Sequence, residues 1–445
     1  MSEVRCPVSQ GRPLPVAEPE TGLTVLKELA RRRSFLAAME VMQAEVGDAF
    51  QITLPSFEPA VFSGPTFNRC VLVSQRHEFL WRPEQDPVTR LLRHGLLVED
   101  GEAHDALRAL MEPATTRPAV NEHVGDMVRY TDRILDQWQD GSTVDMLVEM
   151  RHIALLILMG TLFGTDFAPE MDRLWEPILR SIKYISPGLW ILWPNIPRPG
   201  YGRPLRQLDE YLYSLIQERR VQGAGSGDLL DDLIGGGLSD DLIRDQMLTM
   251  LIAGHDTSTA LLSWTLYLLG SHPEIMARTR DEVDEVLVEQ APTVEDVNQL
   301  RYMDQVTKET LRLYPPIHVG NRMVPKELRV EGYTIPANTR VMYSIYLTHR
   351  DGKHWPDPLS FDPERFDRSL RHGRPALAYV PFGGGPRNCI GATFAQVESK
   401  VVLARIMQRF DLELVGKKIR PHMGATLEPR PGVTMRVRQR GANHG

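Results

Sequence analysis

The feature that most constrains this fold is a stretch of roughly thirty residues that predicts one long, buried helix. Ser239 can cap its N-terminus by accepting a backbone N–H, and Asp240 and Asp241 place acidic groups near the positive end of the helix dipole. The apolar pattern then runs to about Gly270, which corresponds to about 45 Å at 1.5 Å per residue. Because the stretch is apolar almost all round, we expect it to be buried rather than to lie on the surface. The length of the chain is enough for about three average domains or for a single large helical domain.

The motif AGHDTS (residues 253–258) interrupts this apolar pattern. A glycine inside a helix costs about 1 kcal/mol relative to alanine, and burying Asp256 and Thr257 without partners is unfavourable. One interpretation is that the helix ends here and Asp256 caps a second helix. Because the apolar pattern resumes at once, we favour a local distortion within one helix, with a threonine that bonds back to the backbone. An acid and a hydroxyl in a dry groove suggest a proton relay or a water site.

Composition and cysteine content limit the class of protein. Of the 445 residues, 42% are hydrophobic and 24% charged, which is ordinary for a soluble globular protein with a large core. The net charge of −7 argues against a general nucleic-acid binder. Cys6, Cys70 and Cys389 form no CxxC pair, which favours a reducing compartment. No secretory signal is visible, and the longest apolar run is far shorter than the ~18 residues of a membrane span. We therefore expect a cytoplasmic protein without a transmembrane segment.

The rest of the chain reads as a mixture of helices and short strands. Residues 1–20 are predicted to be a flexible or extended lead-in, followed by one domain over residues 21–445. Strands are predicted in β-rich parts at about 50–75 (in 50–64 and again in 69–75) and at about 317–380, and helices over about 101–314. A proline-rich segment with two tryptophans, residues 184–204, interrupts the helices and is here called the lid segment. It is either a packed loop, or a mobile apolar lid or weak membrane-surface contact.

Several short polar motifs have no clear function when each is taken alone. ETLR places Glu309 and Arg312 three residues apart on one helical face, and such pairs are common and contribute only ~0.2–0.5 kcal/mol. PERF adds Arg365 in a proline-bounded loop. Arginine is the preferred partner where a dianionic ligand must be held in fixed geometry. The remaining cationic candidates for such a ligand are His104, Arg108, Arg322 and Arg387.

The last cysteine lies in FGGGPRNCIG (residues 382–391), here called the cysteine loop. Taken alone it is either a glycine-rich turn with an incidental thiol or a rigid cradle for one sulfur. Glycines allow a sharp turn and a close backbone approach. The segment that follows is predicted to be helical, so Cys389 should lie near a helix N-terminus, which is expected to lower the pKa of its thiol.

In this order, AGHDTS, ETLR, PERF and the cysteine loop resemble the motifs of the cytochrome P-450 superfamily of haem-thiolate monooxygenases, in particular its soluble bacterial members. The cysteine loop matches Phe-Gly-x-Gly-x-Arg-x-Cys-x-Gly at every defined position, and Ser258 replaces a commoner threonine. The resemblance covers nearly the whole chain. It implies the P-450 fold, mainly α with small β-sheets, as a single large domain around a long buried helix.

The resemblance also implies a haem b (iron protoporphyrin IX) cofactor and roles for the motif residues. Cys389 would be the axial ligand of the iron, Phe382 would shield the sulfur, and Gly391 would let the next helix pack against the haem. An electron-rich thiolate favours O–O cleavage. The haem propionates would pair with His104, Arg108, Arg322 and Arg387. A structural triad of Glu309, Arg312 and Arg365 would brace the cysteine loop.

On the opposite side of the haem, the resemblance assigns proton delivery to iron-bound dioxygen to Asp256 and Thr257. Ala253 and Gly254 would leave room for oxygen and substrate. The implied reaction inserts one oxygen atom from O2 into a lipophilic small molecule, by hydroxylation or epoxidation. The substrate pocket would be formed by residues 81–98, the lid segment, residues 250–257 and 316–319, and a turn near Leu427. The individual candidates are Met250, Ala253, Gly254, Thr257, Val319 and Leu427.

Electrons are expected from a separate ferredoxin or flavodoxin and its reductase, which would dock on a basic surface near Cys389 of a monomer. An alternative is a haem-thiolate peroxygenase or isomerase that needs no external electrons. Another is a haem-binding sensor or carrier without catalysis. The substrate stays open among terpenoid, fatty acid, steroid and polyketide.

Overall fold

The computed structural model describes residues 11–32, 34–82, 86–191, 196–223, 225, 227–287, 290–370, 373–416 and 418–441. Its α-helices are α1 (Pro19–Arg32), α2 (Phe35–Val46), α3 (Gly64–Arg69), α4 (Pro87–Leu92), α5 (Gly101–Met111), α6 (Arg117–Glu122), α7 (Val124–Leu135), α8 (Met146–Leu162), α9 (Met171–Ile185), α10 (Gly202–Gln222), α11 (Leu229–Gly235), α12 (Asp240–Ser271), α13 (Pro273–Val286), α14 (Val294–Gln299), α15 (Arg301–Leu313), α16 (Ile345–Thr348) and α17 (Ala392–Arg409).

The strands are few and short. They are β1 (Ala49–Gln51), β2 (Ala60–Phe62), β3 (Thr143–Asp145), β4 (Val319–Val324), β5 (Leu328–Val330), β6 (Tyr333–Ile335), β7 (Thr339–Ser344), β8 (Phe410–Leu414), β9 (Arg420–Met423), β10 (Leu427–Arg430) and β11 (Thr434–Gln439). Within the described residues they form one sheet in the order β1-β2-β7-β4, another in the order β3-β11-β8, and the hairpins β9-β10 and β5-β6. The predicted fold class, mainly helical with small sheets, is confirmed.

The predicted central helix is α12, and it is buried along most of its length. It begins as expected, since the Ser239 hydroxyl accepts the N–H of Leu242 at 3.3 Å. It runs through AGHDTS without a break, so the alternative of two helices is wrong. The Thr257 hydroxyl donates to the carbonyl of Ala253 at 2.7 Å, which is the back-bonding threonine that the motif suggested. The helix packs against α8, α10, α15 and α17, and thereby holds the core together.

Close contact between α8 and α12 depends on Gly254. A Cβ atom at this position would lie 2.3 Å from Cδ1 of Leu158, which is too close for any side chain without a shift of the leucine. The glycine in AGHDTS therefore has a packing reason besides the room for substrate that the sequence suggested.

The strand predicted for residues 69–75 is wrong. The segment is the end of α3, which continues into a π-helical turn at Cys70–Ser74. Cys70, Val71 and Leu72 are buried in this turn. A short apolar run fits a buried strand and a buried helical segment equally well, so its hydrophobic pattern alone does not separate the two. The strands predicted within residues 50–64 are present as β1 and β2.

The second predicted β-rich part is correct only for its first half. Strands β4 to β7 lie between residues 319 and 344, and the chain then turns into α16 and 3₁₀ turns. β7 pairs in parallel with β2 and antiparallel with β4, so it joins the N-terminal part of the chain to the later segment.

The described part of the lead-in is extended and paired. Arg12 forms a β-bridge with Tyr333 and Val16 forms one with Gln51. Residues 1–10 lie outside the described residues, so the prediction for them is not addressed. Among the described helices, none has the length and apolar character needed to cross a bilayer.

Candidate functional site

A cavity of about 1060 Å³ lies between α12 and the cysteine loop. On one side, Ala253, Gly254 and Thr257 of α12 line it. On another side, Phe382, Cys389 and Gly391 of the cysteine loop line it. The fold therefore brings two motifs that are more than a hundred residues apart in sequence to one internal space.

The cysteine loop is a tight turn held against the π-helical turn at Cys70–Ser74. Gly383 and Gly385 have φ of 73° and 68°, which is the left-handed region that favours glycine. A Cβ atom at Gly385 would lie 2.2 Å from the carbonyl oxygen of Leu72, so no other residue fits there. The N–H of Cys389 donates to the carbonyl of Phe382 at 2.8 Å, and closes the loop.

The Cys389 side chain is exposed, but the surface that it exposes faces the internal cavity rather than the outside of the molecule. Burial raises the pKa of its thiol above the ordinary value, while the Gly391 N–H and the charge of Arg108 act in the opposite direction with smaller effect. The expected lowering of this pKa is therefore wrong for the protein alone, because desolvation outweighs the helix N-terminus. A bound metal cation changes that balance, since a coordinating thiol is deprotonated outright.

Arg108 and His104 reach the cavity from α5. Arg108 donates to the backbone carbonyl of Asn388 at 2.8 Å and to its side-chain oxygen at 3.1 Å, so it also supports the cysteine loop. Burial lowers the pKa of His104 despite its contact with Asp105, which favours a neutral ring. Both residues line the cavity.

Arg322 and Arg387 lie over the same indole. The guanidinium carbon of Arg322 is 3.7 Å from the ring centroid of Trp81, and that of Arg387 is 4.4 Å from it. Arg387 also pairs with Asp100 at 2.7 Å. Burial lowers the pKa of both arginines, because neither is fully compensated by anions of the protein. Two cations held on one cavity wall therefore favour a ligand with negative charge.

The sequence did not indicate that Trp81 is the ring over which Arg322 and Arg387 lie. It also did not indicate a second polar group beside Trp81. Arg82 and Arg340 both pair with Asp86, at 3.0 and 3.4 Å, and all three line the cavity. The sequence predicts residues 81–98 as part of the pocket wall, but only as an apolar part. Arg340 lies in β7, where no motif marked it.

Glu309, Arg312 and Arg365 come together below the cysteine loop. Two hydrogen bonds of 2.7 Å join Arg312 to Glu309, and both side chains are fully buried. Arg365 Nε lies 3.4 Å from the same carboxylate. Arg312 further donates to the carbonyls of His349 and Pro358 at 2.8 and 2.7 Å. Burial, rather than helical spacing alone, therefore distinguishes this pair from an ordinary surface ion pair.

His349 connects this group to the cysteine loop. Its ring Nε2 accepts the N–H of Val380 at 2.8 Å, two residues before Phe382. Burial lowers the pKa of His349 to about 3, so the ring is neutral and able to accept this hydrogen bond. The chain Arg312–His349–Val380 is thus a direct mechanical link to the cysteine loop.

On the α12 side of the cavity, Asp256 is 2% exposed and has a partner at each oxygen. Oδ1 accepts from Arg151 at 3.1 Å, and Oδ2 accepts from the Thr426 hydroxyl at 2.7 Å. Arg151 also binds Glu428 at 2.5 Å. The sequence did not indicate this network, in which Arg151 comes from α8 and Thr426 and Glu428 come from the β9–β10 hairpin. These residues are so far from Asp256 along the chain that no local sequence pattern connects them to it.

Ser258 has a partner on α17. Its hydroxyl donates a hydrogen bond to Oε2 of Glu398. The Glu398 side chain is buried and is not paired with any described cation. Burial raises the pKa of Glu398 to about 8, which makes it a largely neutral acid at pH 7. The serine in AGHDTS therefore links α12 to the helix that follows the cysteine loop.

The predicted pocket segments all contribute lining residues, including Leu92, Trp190, Met250 and Val319. Residues 192–195 of the lid segment lie outside the described residues. Leu427 is the exception, since its side chain is fully buried in the core and is absent from the cavity wall. The preceding part of the hairpin, residues 421–426 from β9 and the turn, lines the cavity instead.

Comparison with known proteins agrees with these motifs. A family model described as "Cytochrome P450" matches residues 15–435. The cyclooctat-9-en-7-ol 5-monooxygenase of Streptomyces melanosporofaciens is 33% identical over 86% of this chain and 84% of its own. The putative cytochrome P450 120 of Synechocystis is 31% identical over 89% and 90%.

Among solved structures, the heme domain of cytochrome P450DA has a TM-score of 0.86 at 26% identity, covering 97% of this chain and 98% of that one. The retinoic acid-bound cyanobacterial CYP120A1 has a TM-score of 0.83 at 27% identity, covering 96% and 100%.

Proposed function

The chain belongs to the cytochrome P450 family, and from this premise we propose which residues carry its chemistry and which molecules it oxidises. It is a haem-thiolate monooxygenase, which uses haem b, O2 and electrons from redox partners to insert one oxygen atom into an organic substrate. The observation that supports the residue assignments is the shared cavity, into which Cys389 is exposed from one side and Thr257 from another.

Cys389 is proposed as the residue whose sulfur would bind the haem iron. When bound, the haem supplies the iron on which O2 is reduced, and a thiolate ligand favours cleavage of the O–O bond. The fit of a haem here is supported by Gly391, which lines the cavity and where a Cβ atom would meet no protein atom within 4 Å. That glycine leaves space for a flat group against the start of α17. Phe382 lies beside Cys389 on the same wall and is proposed to limit access of water to the sulfur.

Arg322, Arg387, Arg108 and His104 are proposed to hold the two propionates. The lowered pKa values of the first two support this assignment, because a bound dianion would compensate charges that are buried in its absence. His104 is proposed to donate to a propionate in its doubly protonated form, because Asp105 already accepts from Nδ1 and a bound dianion favours the second ring proton.

Glu309, Arg312 and Arg365 are proposed as a structural triad rather than as catalytic residues. The support is the hydrogen-bond path from Arg312 through His349 to Val380, which reaches the cysteine loop without touching the cavity. A rigid loop would keep the sulfur of Cys389 in one position for a bound haem.

Asp256 and Thr257 are proposed as the groups that deliver protons. The Thr257 hydroxyl uses its hydrogen to bond the Ala253 carbonyl, so its oxygen is left to accept from a water in the cavity. Asp256 lies one residue away and is held by Arg151 and Thr426. Ala253 and Gly254 present no bulky side chain to the cavity beside this pair.

We propose that residues 21–445 form a single catalytic domain, which acts as a monomer and receives electrons from a ferredoxin or a flavodoxin. The partner would dock near Arg69 and Arg76, which flank the π-helical turn packed on Gly385 of the cysteine loop.

Adding hydrogen peroxide distinguishes the proposed monooxygenase from the peroxygenase alternative. Full turnover with peroxide alone, and none with O2 and a reductase system, would contradict this proposal.

For the substrate we propose a terpenoid with few oxygen atoms. The cavity wall is largely apolar, with Leu96, Leu162, Trp190 and Ile317 among its residues, and favours a hydrocarbon body. A relative is named for oxidation of cyclooctat-9-en-7-ol, and a similar structure for its bound retinoic acid. Both are hydrocarbon-rich molecules with one polar end.

A spin-state screen of the ferric protein with matched sets of terpenoids, fatty acids, steroids and polyketides tests this choice. We expect the largest spectral shifts and product yields with terpenoids. Tighter binding and turnover of any other set would contradict it, whereas a reduced, carbon monoxide-bound spectrum without the red-shifted thiolate band would contradict the assignment of Cys389.

A further inference from the structure

The β9–β10 hairpin touches both the lid segment and the buried acid Asp256. Its strands, Arg420–Met423 and Leu427–Arg430, are joined by a turn whose residues line the cavity. A substrate that fills the cavity must therefore lie against this turn. The contacts at its two ends decide what such a substrate can influence.

At one end, the hairpin holds Asp256 by two routes. Thr426 is 3% exposed and donates directly to Oδ2 of Asp256 at 2.7 Å. Glu428, two residues further along, binds Arg151 at 2.5 Å, and Arg151 donates to the other oxygen, Oδ1, at 3.1 Å. Because the hairpin carries both contacts, Thr426 in its turn and Glu428 in β10, a shift of the hairpin changes the position of both oxygens of Asp256 together.

At the other end, the hairpin is bonded to the first residues of the lid segment. The hydroxyl of Ser186 accepts the N–H of Ala425 at 3.0 Å and donates to the carbonyl of Ile182 at 2.8 Å, in the last turn of α9. A Cβ atom at Gly424 would lie 3.8 Å from the same hydroxyl oxygen. Ser186 is therefore a direct connection between the end of α9 and the hairpin turn.

A later residue of the lid segment, Arg198, contacts residues close to Ser186. Arg198 donates to the carbonyl of Tyr184 at 2.6 Å and lies over the rings of Tyr184 and Trp190, at 4.6 and 5.3 Å from their centroids. Trp190 lines the cavity. Trp190 of the cavity wall is thus linked through Arg198 to Tyr184, two residues from Ser186.

We propose that Thr426 is a positioning residue that directs the Asp256 carboxylate, and that the Ser186–Ala425 contact transmits the position of the C-terminal end of α9 to it. Proton delivery is then coupled to how the first residues of the lid segment, up to Ser186, pack against the hairpin turn. The inference rests on the proposed role of Asp256 in proton delivery. It adds residues of the hairpin and lid to that role, and none of them belongs to a recognised motif of the sequence.

The physical consequence concerns efficiency rather than binding. If Oδ2 loses its hydroxyl donor, the carboxylate turns toward Arg151, and protons reach the cavity less often. The electrons from the redox partner then reduce O2 to peroxide or water, and less product is formed. Loss of one hydrogen bond to a charged group corresponds to about a tenfold change in the population of the held orientation.

The test compares product formed per NADPH oxidised in four holoproteins supplied with O2 and a reductase system. For Thr426→Val, which removes the donor, we expect a roughly tenfold lower ratio with more peroxide released. Thr426→Ser keeps a hydroxyl and is expected to restore most of the wild-type ratio. Thr265→Val is the matched control, because Thr265 is a buried threonine of α12 whose hydroxyl, among the described residues, bonds only the Leu261 carbonyl.

Ser186→Ala tests the connection to the lid segment. We expect it to lower the ratio by a smaller factor in the same direction, and the double variant with Thr426→Val to be no worse than Thr426→Val alone, because both act on one path. Independent, multiplicative effects of the two substitutions would overturn the transmission from the lid. An unchanged ratio in Thr426→Val would overturn the positioning role.

Three further measurements separate this inference from the proposed function. The haem content and the carbon monoxide-bound spectrum should be unchanged in Thr426→Val, and product formation driven by added peroxide should be retained. Loss of all three would mean that Thr426 only supports the fold. If the wild type itself gives no product with O2 and a reductase, the proposed function fails, whatever the variants do.

Discussion

Replacing Glu398 by glutamine should make the stability of the protein much less dependent on pH. Glu398 lies within α17, is 1% exposed, and hydrogen bonds the hydroxyl of Ser258 on α12. Burial raises the pKa of its carboxyl to about 8 from 4.5. A glutamine has nearly the same shape and can still accept from Ser258, but it carries no proton to lose.

The sign of the effect follows from proton binding. Between pH 4.5 and pH 8 the folded protein holds a proton on Glu398 that the unfolded chain has released, so stability falls as pH rises through this window and is level above it. Each pH unit corresponds to about 1.4 kcal/mol at the steepest part. Between pH 5 and pH 7, wild type should therefore lose about 3 kcal/mol relative to Glu398→Gln, with this value as an upper limit because the site can relax or hydrate.

The assay is denaturant unfolding of the holoprotein, followed by haem absorbance at several pH values between 5 and 8. The difference in the free energy of unfolding between Glu398→Gln and wild type isolates this one group, since all other titrations are common to both. Glu274→Gln, at an exposed position of α13, is the control and should follow wild type. Parallel profiles of wild type and Glu398→Gln would refute the reasoning.

The remaining predictions concern the cysteine loop and its support. Arg312→Lys keeps the charge but loses the paired bonds to Glu309, and should destabilise the protein by about 3 kcal/mol or more and reduce haem content, measured by denaturation and haem assay; wild-type stability would contradict the triad. Cys389→Ser should retain the helical circular dichroism yet lose the red-shifted carbon monoxide band, and persistence of that band would refute the ligand assignment. His349, whose pKa is lowered to about 3, should contribute stability that is present above pH 6.5 and lost as pH falls toward 3. His349→Gln should remove that slope in unfolding measured from pH 4 to pH 7, and an unchanged slope would exclude His349 as its source.

Short-range patterns predicted much of this protein correctly. The cap at Ser239 and the apolar stretch located α12 to within a residue or two, because helix propensity and capping depend on neighbours along the chain. The motifs also led to the family, since each is a compact segment with its own spacing. Prediction failed where a short apolar pattern fits both a strand and a helical segment. Residues 69–75 are such a case, because they form the π-helical turn behind the cysteine loop and not the predicted strand.

The candidate site was predictable only in part. The cationic residues were marked by their type and motif context, but Trp81 as their common platform was not, because stacking depends on β4 and the cysteine loop meeting residue 81 in space. Leu427 was expected in the pocket and lies in the core, since the hairpin turn before it occupies the cavity wall.

What the sequence determined by itself was the central helix, the cysteine loop, the ETLR pair and hence the family and its oxygen chemistry. What only the tertiary structure decided was the surroundings of the acid in that helix. Asp256 meets Arg151 and Thr426, which are 105 and 170 residues away in the chain. Helical periodicity, caps and motif spacing act over a few residues, whereas the partners of a buried charge depend on which distant elements pack against it, and that is fixed by the whole fold.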